Sequence, residues 1–148
     1  MLKSFWFWAL ILFIVIQFFS LNIPANKSIK ENEKLQAPQQ IPKEVLTILK
    51  RSCYDCHSLE VKAPWYYTVA PMSWYTQFNV QKARKVMNFS KWNSYNKEEQ
   101  QKFLKKLPKA IVIRMPLQSY LYLHEEVALT QKEKELLKSW VKTQIRKE

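Results

Sequence analysis

Cys53-Tyr54-Asp55-Cys56-His57 contains both cysteines of the chain and one of its two histidines, and no other stretch constrains the fold as strongly. Two thiols separated by two residues can add to the two vinyl groups of one porphyrin, and the adjoining imidazole then reaches the iron as proximal ligand. The spacing therefore implies one covalent haem c, attached at Cys53 and Cys56, with its iron on His57. A group held by two thioether bonds is not lost on dilution, so the first functional expectation is electron transfer outside the cytoplasm. Other readings of these five residues are weaker. A redox dithiol is read beside βαβ patterning, which this chain lacks. A Cys₂His₂ zinc site would need both histidines, but His57 abuts Cys56, which is not the usual finger spacing. A disulfide across two residues would be strained and would close too short a loop to restrict the unfolded chain much.

Working outward towards the amino terminus, Pro42 suits the start of a helix. Val45, Leu46, Ile48 and Leu49 give that helix an apolar face leading into Cys53, so the motif is expected at its C-terminal end. Residues 22–41, with Pro24 and Pro38 in a polar stretch of Lys, Glu, Asn and Gln, read as a flexible, extended tether. Residues 1–21 hold a single charge, Lys3, and then an apolar run from Phe5 to Leu21. As a helix this run spans about 25 Å, slightly less than the roughly 30 Å hydrocarbon core. It exceeds a usual signal-peptide core, and Ile23-Pro24-Ala25 is a poor cleavage site. A transmembrane signal anchor is expected ahead of a cleaved signal peptide, with the body of the chain beyond the cytoplasmic membrane.

Downstream the signals are helical and strand signals are sparse. A second helix is expected from about Pro71, with Met72, Tyr75, Phe78 and Val86 as one stripe interrupted by Lys82. A third runs from about Lys97 through Phe103, Leu104 and Leu107, and Pro108 is expected to stop or kink it. A last helix follows Thr130, which with Glu133 matches a capping box, and its core face is Leu136, Leu137, Trp140 and Val141. The expected organisation is an all-α, single haem-binding domain over residues 42–146. The chain has no glycine at all, which argues against a phosphate-cradling loop or a dinucleotide fold.

The sixth iron position has few candidates. Met115 precedes Pro116, which biases it towards extended backbone and presentation from a loop. Met72 and Met87 read as helix packing. His124 reads first as a histidine hydrogen-bonded near an acidic turn and second as a competing ligand. Trp65, Tyr66, Tyr67, Trp74, Tyr75, Trp92, Tyr120 and Tyr122 are candidates to pack on the porphyrin or simply form core, with Trp65 and Trp74 favoured by their place soon after His57. The net charge of +12 includes a cluster at Lys102, Lys105, Lys106 and Lys109. Such a surface suits an acidic redox partner or an anionic membrane, or is a solvated face. Nucleic acid is an implausible partner for an exported domain.

The order Cys53 to His57, then Met115-Pro116, then Leu129-Thr130 through Glu133, Leu136, Leu137, Trp140 and Val141 resembles a small class I single-haem cytochrome c. The chain is more similar still to the bacterial haem-binding domain family with a Cys-x-x-Cys-His motif. Pro64-Trp65-Tyr66, Ala70-Pro71-x-Ser73-Trp74, Asn88-Phe89-Ser90-x-Trp92, and Met115-Pro116 through Tyr120 to Leu123-His124 carry that likeness, which covers about Val45 to Val141. Glu125 stands where such proteins tend to have proline. The resemblance implies a cytochrome c-like helical fold around haem, with Cys53, Cys56, His57 and Met115 as its cofactor-binding residues. It also implies attachment on the periplasmic side of the membrane.

Overall fold

A computed structural model describes residues 2–19 and 41–146. Within them the regular structure is entirely helical: α1 (Leu2–Gln17), α2 (Lys43–Ser52), α3 (Tyr54–His57), α4 (Met72–Val86), α5 (Lys97–Ile113), α6 (Gln118–Leu121) and α7 (Gln131–Arg146). Short 3-10 turns at Trp65–Thr68, Phe89–Ser94 and Glu125–Val127 join them. The expected tether, residues 22–41, lies outside the described residues except for Ile41.

Two of the expected helices follow their apolar faces closely. In α2, Val45, Ile48 and Leu49 are buried, and in α7, Leu137, Trp140 and Val141 are buried. The start of α7 is capped as its sequence implies: the Glu133 amide donates to Thr130 Oγ1 at 3.2 Å, and the Thr130 amide donates to Glu133 Oε2 at 2.9 Å. The second carboxylate oxygen of Glu133 pairs with Arg51 Nη2 at 2.9 Å, tying the end of α2 to the start of α7. The Arg51 guanidinium, aided by Thr130, holds the Glu133 carboxyl down at about 2. Its folded value lies below the ordinary one, so its stabilisation is present above about pH 4.5 and is lost as pH falls towards 2. Glu133→Gln is expected to lower stability at neutral pH by about 1 kcal/mol, a partly exposed pair and cap being worth no more. It should also flatten the fall in denaturant midpoint between those two pH values. An unchanged acid limb would show that the pair does not operate in solution.

The main core joins α2, α5 and α7 around Val45, Leu49, Leu104, Ile111, Leu137 and Trp140, and takes in Tyr54, Phe89 and Trp92. A smaller core of Val61, Tyr66, Tyr67 and Val80 lies on the other side of the motif.

Two expectations are corrected, and a third finds no support. Helix α5 does not stop at Pro108 but continues to Ile113. Leu104 and Ile111, both buried, lie two turns apart on one face that packs with α7 in the main core, and this packing offsets the backbone bond that proline cannot donate. Helix α4 does not bury the stripe Met72, Tyr75, Phe78 and Val86, which is 40–56% exposed. It turns Ser73, Thr76, Gln77 and Val80 inward instead. Finally, α1 has 16 residues, a length of about 24 Å, and no described helix is long and apolar enough to cross a membrane. It stops at Gln17, whose side-chain amide is engaged by the Ala70 backbone.

Candidate functional site

Only Cys53 separates α2 from α3, and its carbonyl accepts the His57 amide at 2.9 Å. The five residues thus form a single helical turn that puts Cys53, Cys56 and His57 at i, i+3 and i+4, on one face. Tyr54 fixes this turn from behind: it is buried and stacks on Phe89 with ring centroids 4.9 Å apart. The exit is fixed as well, since Ser58 Oγ donates to the Tyr54 carbonyl at 2.9 Å and Arg84 Nε donates to the Ser58 carbonyl at 2.9 Å.

Both thiols are free. Burial pushes the Cys53 thiol up to about 12, with Cys56 adding to the effect and Arg51 opposing it. Burial and then Asp55 push Cys56 up to about 11. Both sulfurs therefore stay protonated at neutral pH, unlike the thiolate of a reactive dithiol. Among the described residues no three His, Cys, Asp or Glu side chains are gathered as a metal-holding group.

His57 Nδ1 lies 3.1 Å from the Met87 carbonyl, at the C-terminal end of α4. A carbonyl only accepts, so this nitrogen carries the proton and Nε2 keeps its lone pair. Burial lowers the pKa of His57 and keeps the ring neutral. A neutral imidazole with one nitrogen anchored to backbone is what a metal ligand requires.

Beside Cys56 lies a cavity of about 30 Å³, lined by Tyr66, Tyr67, Met72, Tyr75, Leu117 and Tyr120 among others. Next to it the apolar stripe of α4 faces outward. The cavity itself has room for about one water molecule, but an amphipathic helix with its apolar side uncovered beside the free Cys56 thiol offers an apolar surface that a large flat group such as a porphyrin would cover. The polar atoms of the cleft are ordered by its own side chains. Tyr120 donates its hydroxyl hydrogen to Asp55 Oδ2 at 2.7 Å, and the Lys62 amide donates to Asp55 Oδ1 at 3.1 Å. Burial, and then this bond in which Tyr120 is the donor, raise the Tyr120 pKa. His124 Nδ1 donates to Glu126 Oε1 at 3.0 Å, and its Nε2 takes the Tyr66 hydroxyl. The His124 ring also stacks on Tyr120, with centroids 4.4 Å apart.

The residues singled out from sequence are thus only partly brought together. Cys53, Cys56 and His57 share one turn. Met115 follows the end of α5, partly buried, its amide bonded to the Ala110 carbonyl at 2.9 Å. It does not line the cavity, although Leu117, Ser119, Tyr120 and Leu123, just beyond it, do. His124 has both ring nitrogens engaged. Trp65 is 78% exposed and Trp74 donates its indole N–H to the Phe19 carbonyl at 2.6 Å, so neither lines the cavity. The tyrosines Tyr66, Tyr67, Tyr75 and Tyr120 do so instead, while Trp92 belongs to the main core.

Sequence reasoning missed Asp55, inside the motif itself, and Met72 as a lining residue. For Asp55 the available signal was a carboxylate held between two thiols. For Met72 it was the apolar stripe, read as core.

A family model described as a haem-binding domain matches residues 11–143 of the chain. No curated protein matches the chain, and no solved structure does.

Proposed function

The chain belongs to the haem-binding domain family, and from that premise we propose that it is a small cytochrome c-like electron carrier holding one haem c covalently through Cys53 and Cys56. The observation that carries this reading is the single turn that groups two free protonated thiols with a neutral His57 whose Nδ1 is already tied to Met87. Each thiol adds across a vinyl double bond, forming one S–C bond and leaving its hydrogen on the neighbouring carbon, so attachment needs no oxidant. His57 Nε2, left free by the Nδ1 bond to Met87, would hold the iron. When bound, the iron supplies reversible one-electron exchange.

Met115 is proposed as the sixth ligand. Support comes from its position just ahead of Leu117, Ser119, Tyr120 and Leu123, which line the same cavity as Cys56. A specific observation favours a second reading, Met72, whose side chain lines that cavity directly. His124 is the weaker candidate because Tyr66 and Glu126 occupy its two nitrogens. A histidine–methionine pair raises the reduction potential relative to two imidazoles.

The proposed organisation is an apolar N-terminal anchor or signal segment at 1–21, a tether at 22–41 and the haem domain at 42–146. The domain is placed on the periplasmic side of the inner membrane, with α1 embedded in lipid. Its lysine-rich surface, net charge +12, suits an acidic redox protein.

Absorption spectra of the matured holoprotein test the ligand assignment. The wild type is expected to be low-spin in both oxidation states and indifferent to carbon monoxide, and Met115→Ala to become high-spin and bind it. His124→Ala should leave the spectrum unchanged. If Met72→Ala alone produces the high-spin form, the second reading holds. Rapid carbon monoxide binding by the wild type would replace the carrier with a sensor or a peroxidase-like enzyme having a labile sixth position.

A further inference from the structure

Helix α1 and the haem-binding body meet at one point, and its chemistry is specific. Gln17 is the sole polar side chain between Ser4 and Ser20. Both ends of its amide are used: Oε1 accepts the Ala70 amide at 2.9 Å, and Nε2 donates to the Ala70 carbonyl at 3.1 Å and to the Phe13 carbonyl at 2.9 Å. Two residues further along, the Phe19 carbonyl accepts the Trp74 indole N–H at 2.6 Å. Phe19 lies two residues beyond the end of α1, so its carbonyl has no intrahelical partner, and here the body of the protein supplies a donor. Ala70 is itself buried at 2% exposure, so Gln17 grips a fixed part of the structure.

From Phe5 to Ile16, α1 is apolar all round. Phe5, Trp6, Phe7 and Trp8 are consecutive, hence spread around the full turn at 100° per residue, and all four are 59–66% exposed. A helix that is apolar on every side belongs in a core or in lipid, and no part of the described chain covers this one. A net charge of +12 adds attraction to anionic headgroups.

We infer that the corner Ala70–Trp74 is a docking socket for the membrane anchor, and that the Gln17 and Trp74 bonds hold the haem cleft at the surface of the bilayer in one orientation. The inference rests on the proposed embedding of α1 in lipid and goes beyond it, because an anchor joined only by a tether would leave the body free to turn. Met72 and Tyr75 line the cleft from the first turns of α4, and Met72 stands two residues beyond Ala70. The cleft therefore opens next to the headgroups, where a redox partner lying in or on the membrane reaches it.

The test uses the full-length reduced holoprotein with phosphatidylcholine–phosphatidylglycerol vesicles carrying a headgroup spin label. The wild type is expected to sediment with the vesicles and to show paramagnetic broadening concentrated on the amides of residues 70–79. Gln17→Leu keeps α1 apolar, so it should still sediment, but the broadening should spread over all faces of the domain and Ala70 amide exchange should quicken at least about tenfold, the effect of releasing a single protected amide. Trp74→Phe, which deletes only the indole donor, is expected to weaken the pattern in the same direction. A wild type that sediments without selective broadening, or a Gln17→Leu variant with the wild-type pattern, overturns the socket while leaving the anchor intact. A wild type that does not sediment overturns both.

Discussion

With Cys53 and Cys56 both replaced by alanine, the purified chain is expected to retain no haem through denaturing electrophoresis, whereas the wild type stains fully for bound haem. The expectation follows from the attachment chemistry: only a thioether survives unfolding of the polypeptide, and these are the only two cysteines. Each single variant can form one thioether and should keep a reduced fraction. His57→Ala leaves both thiols in place, so it should retain covalent haem but lose the low-spin spectrum. The variants thus separate attachment from ligation. Persistence of the stain in the double variant would sink the covalent reading, and a wild type that binds haem but releases it on denaturation would reduce the site to a non-covalent one.

Leu137→Ala is expected to destabilise the domain by about 2–5 kcal/mol, the usual range for removing a fully buried leucine side chain. Leu137 is 0% exposed and sits where α7 meets α2 and α5 in the main core. Against a total of roughly 5–15 kcal/mol for an ordinary domain, this is a large fraction. Val112→Ala, on the exposed side of α5 at 58% exposure, should stay within about 0.5 kcal/mol of wild type. Urea denaturation followed by circular dichroism measures both. Equal costs at the two positions would mean that α7 does not close the core in solution.

The elements legible in the sequence are those whose apolar faces meet other protein. Val45, Ile48 and Leu49 in α2, and Leu137, Trp140 and Val141 in α7, repeat at helical spacing because each face has one neighbour to satisfy. The Thr130–Glu133 cap was readable because it needs only four residues. What could not be read has a common physical cause. In α4 the stripe of Met72, Tyr75, Phe78 and Val86 has the same periodicity as a core face, and periodicity reports only that a face is apolar, not what covers it. The protein instead buries Ser73, Thr76 and Gln77, and leaves the stripe exposed, with Met72 and Tyr75 beside Cys56. Pro108 does not end α5 for a related reason, since a rule about local hydrogen bonds is outweighed by Leu104 and Ile111 packing together.

The site divides along the same line. The order of Cys53, Cys56 and His57 is local and therefore visible. The tyrosine lining depends on Asp55 meeting Tyr120 and on His124 meeting Tyr66, contacts that span 65 and 58 residues. The favoured tryptophans were chosen by proximity along the chain to His57. Trp74 instead serves the end of α1, a partner 55 residues earlier.

The two cysteines, three residues apart, belong to different neighbourhoods. Cys53 packs against the main core and Cys56 against the smaller one. The turn that carries them is therefore shared by both clusters, and a macrocycle held there under the proposed reading would touch both, although a bridge across two residues by itself restricts the chain little. Maturation would then do more than equip the protein for redox work: apolar surface buried against the ring would stabilise both clusters, so the finished protein would resist opening at their shared turn better than its precursor.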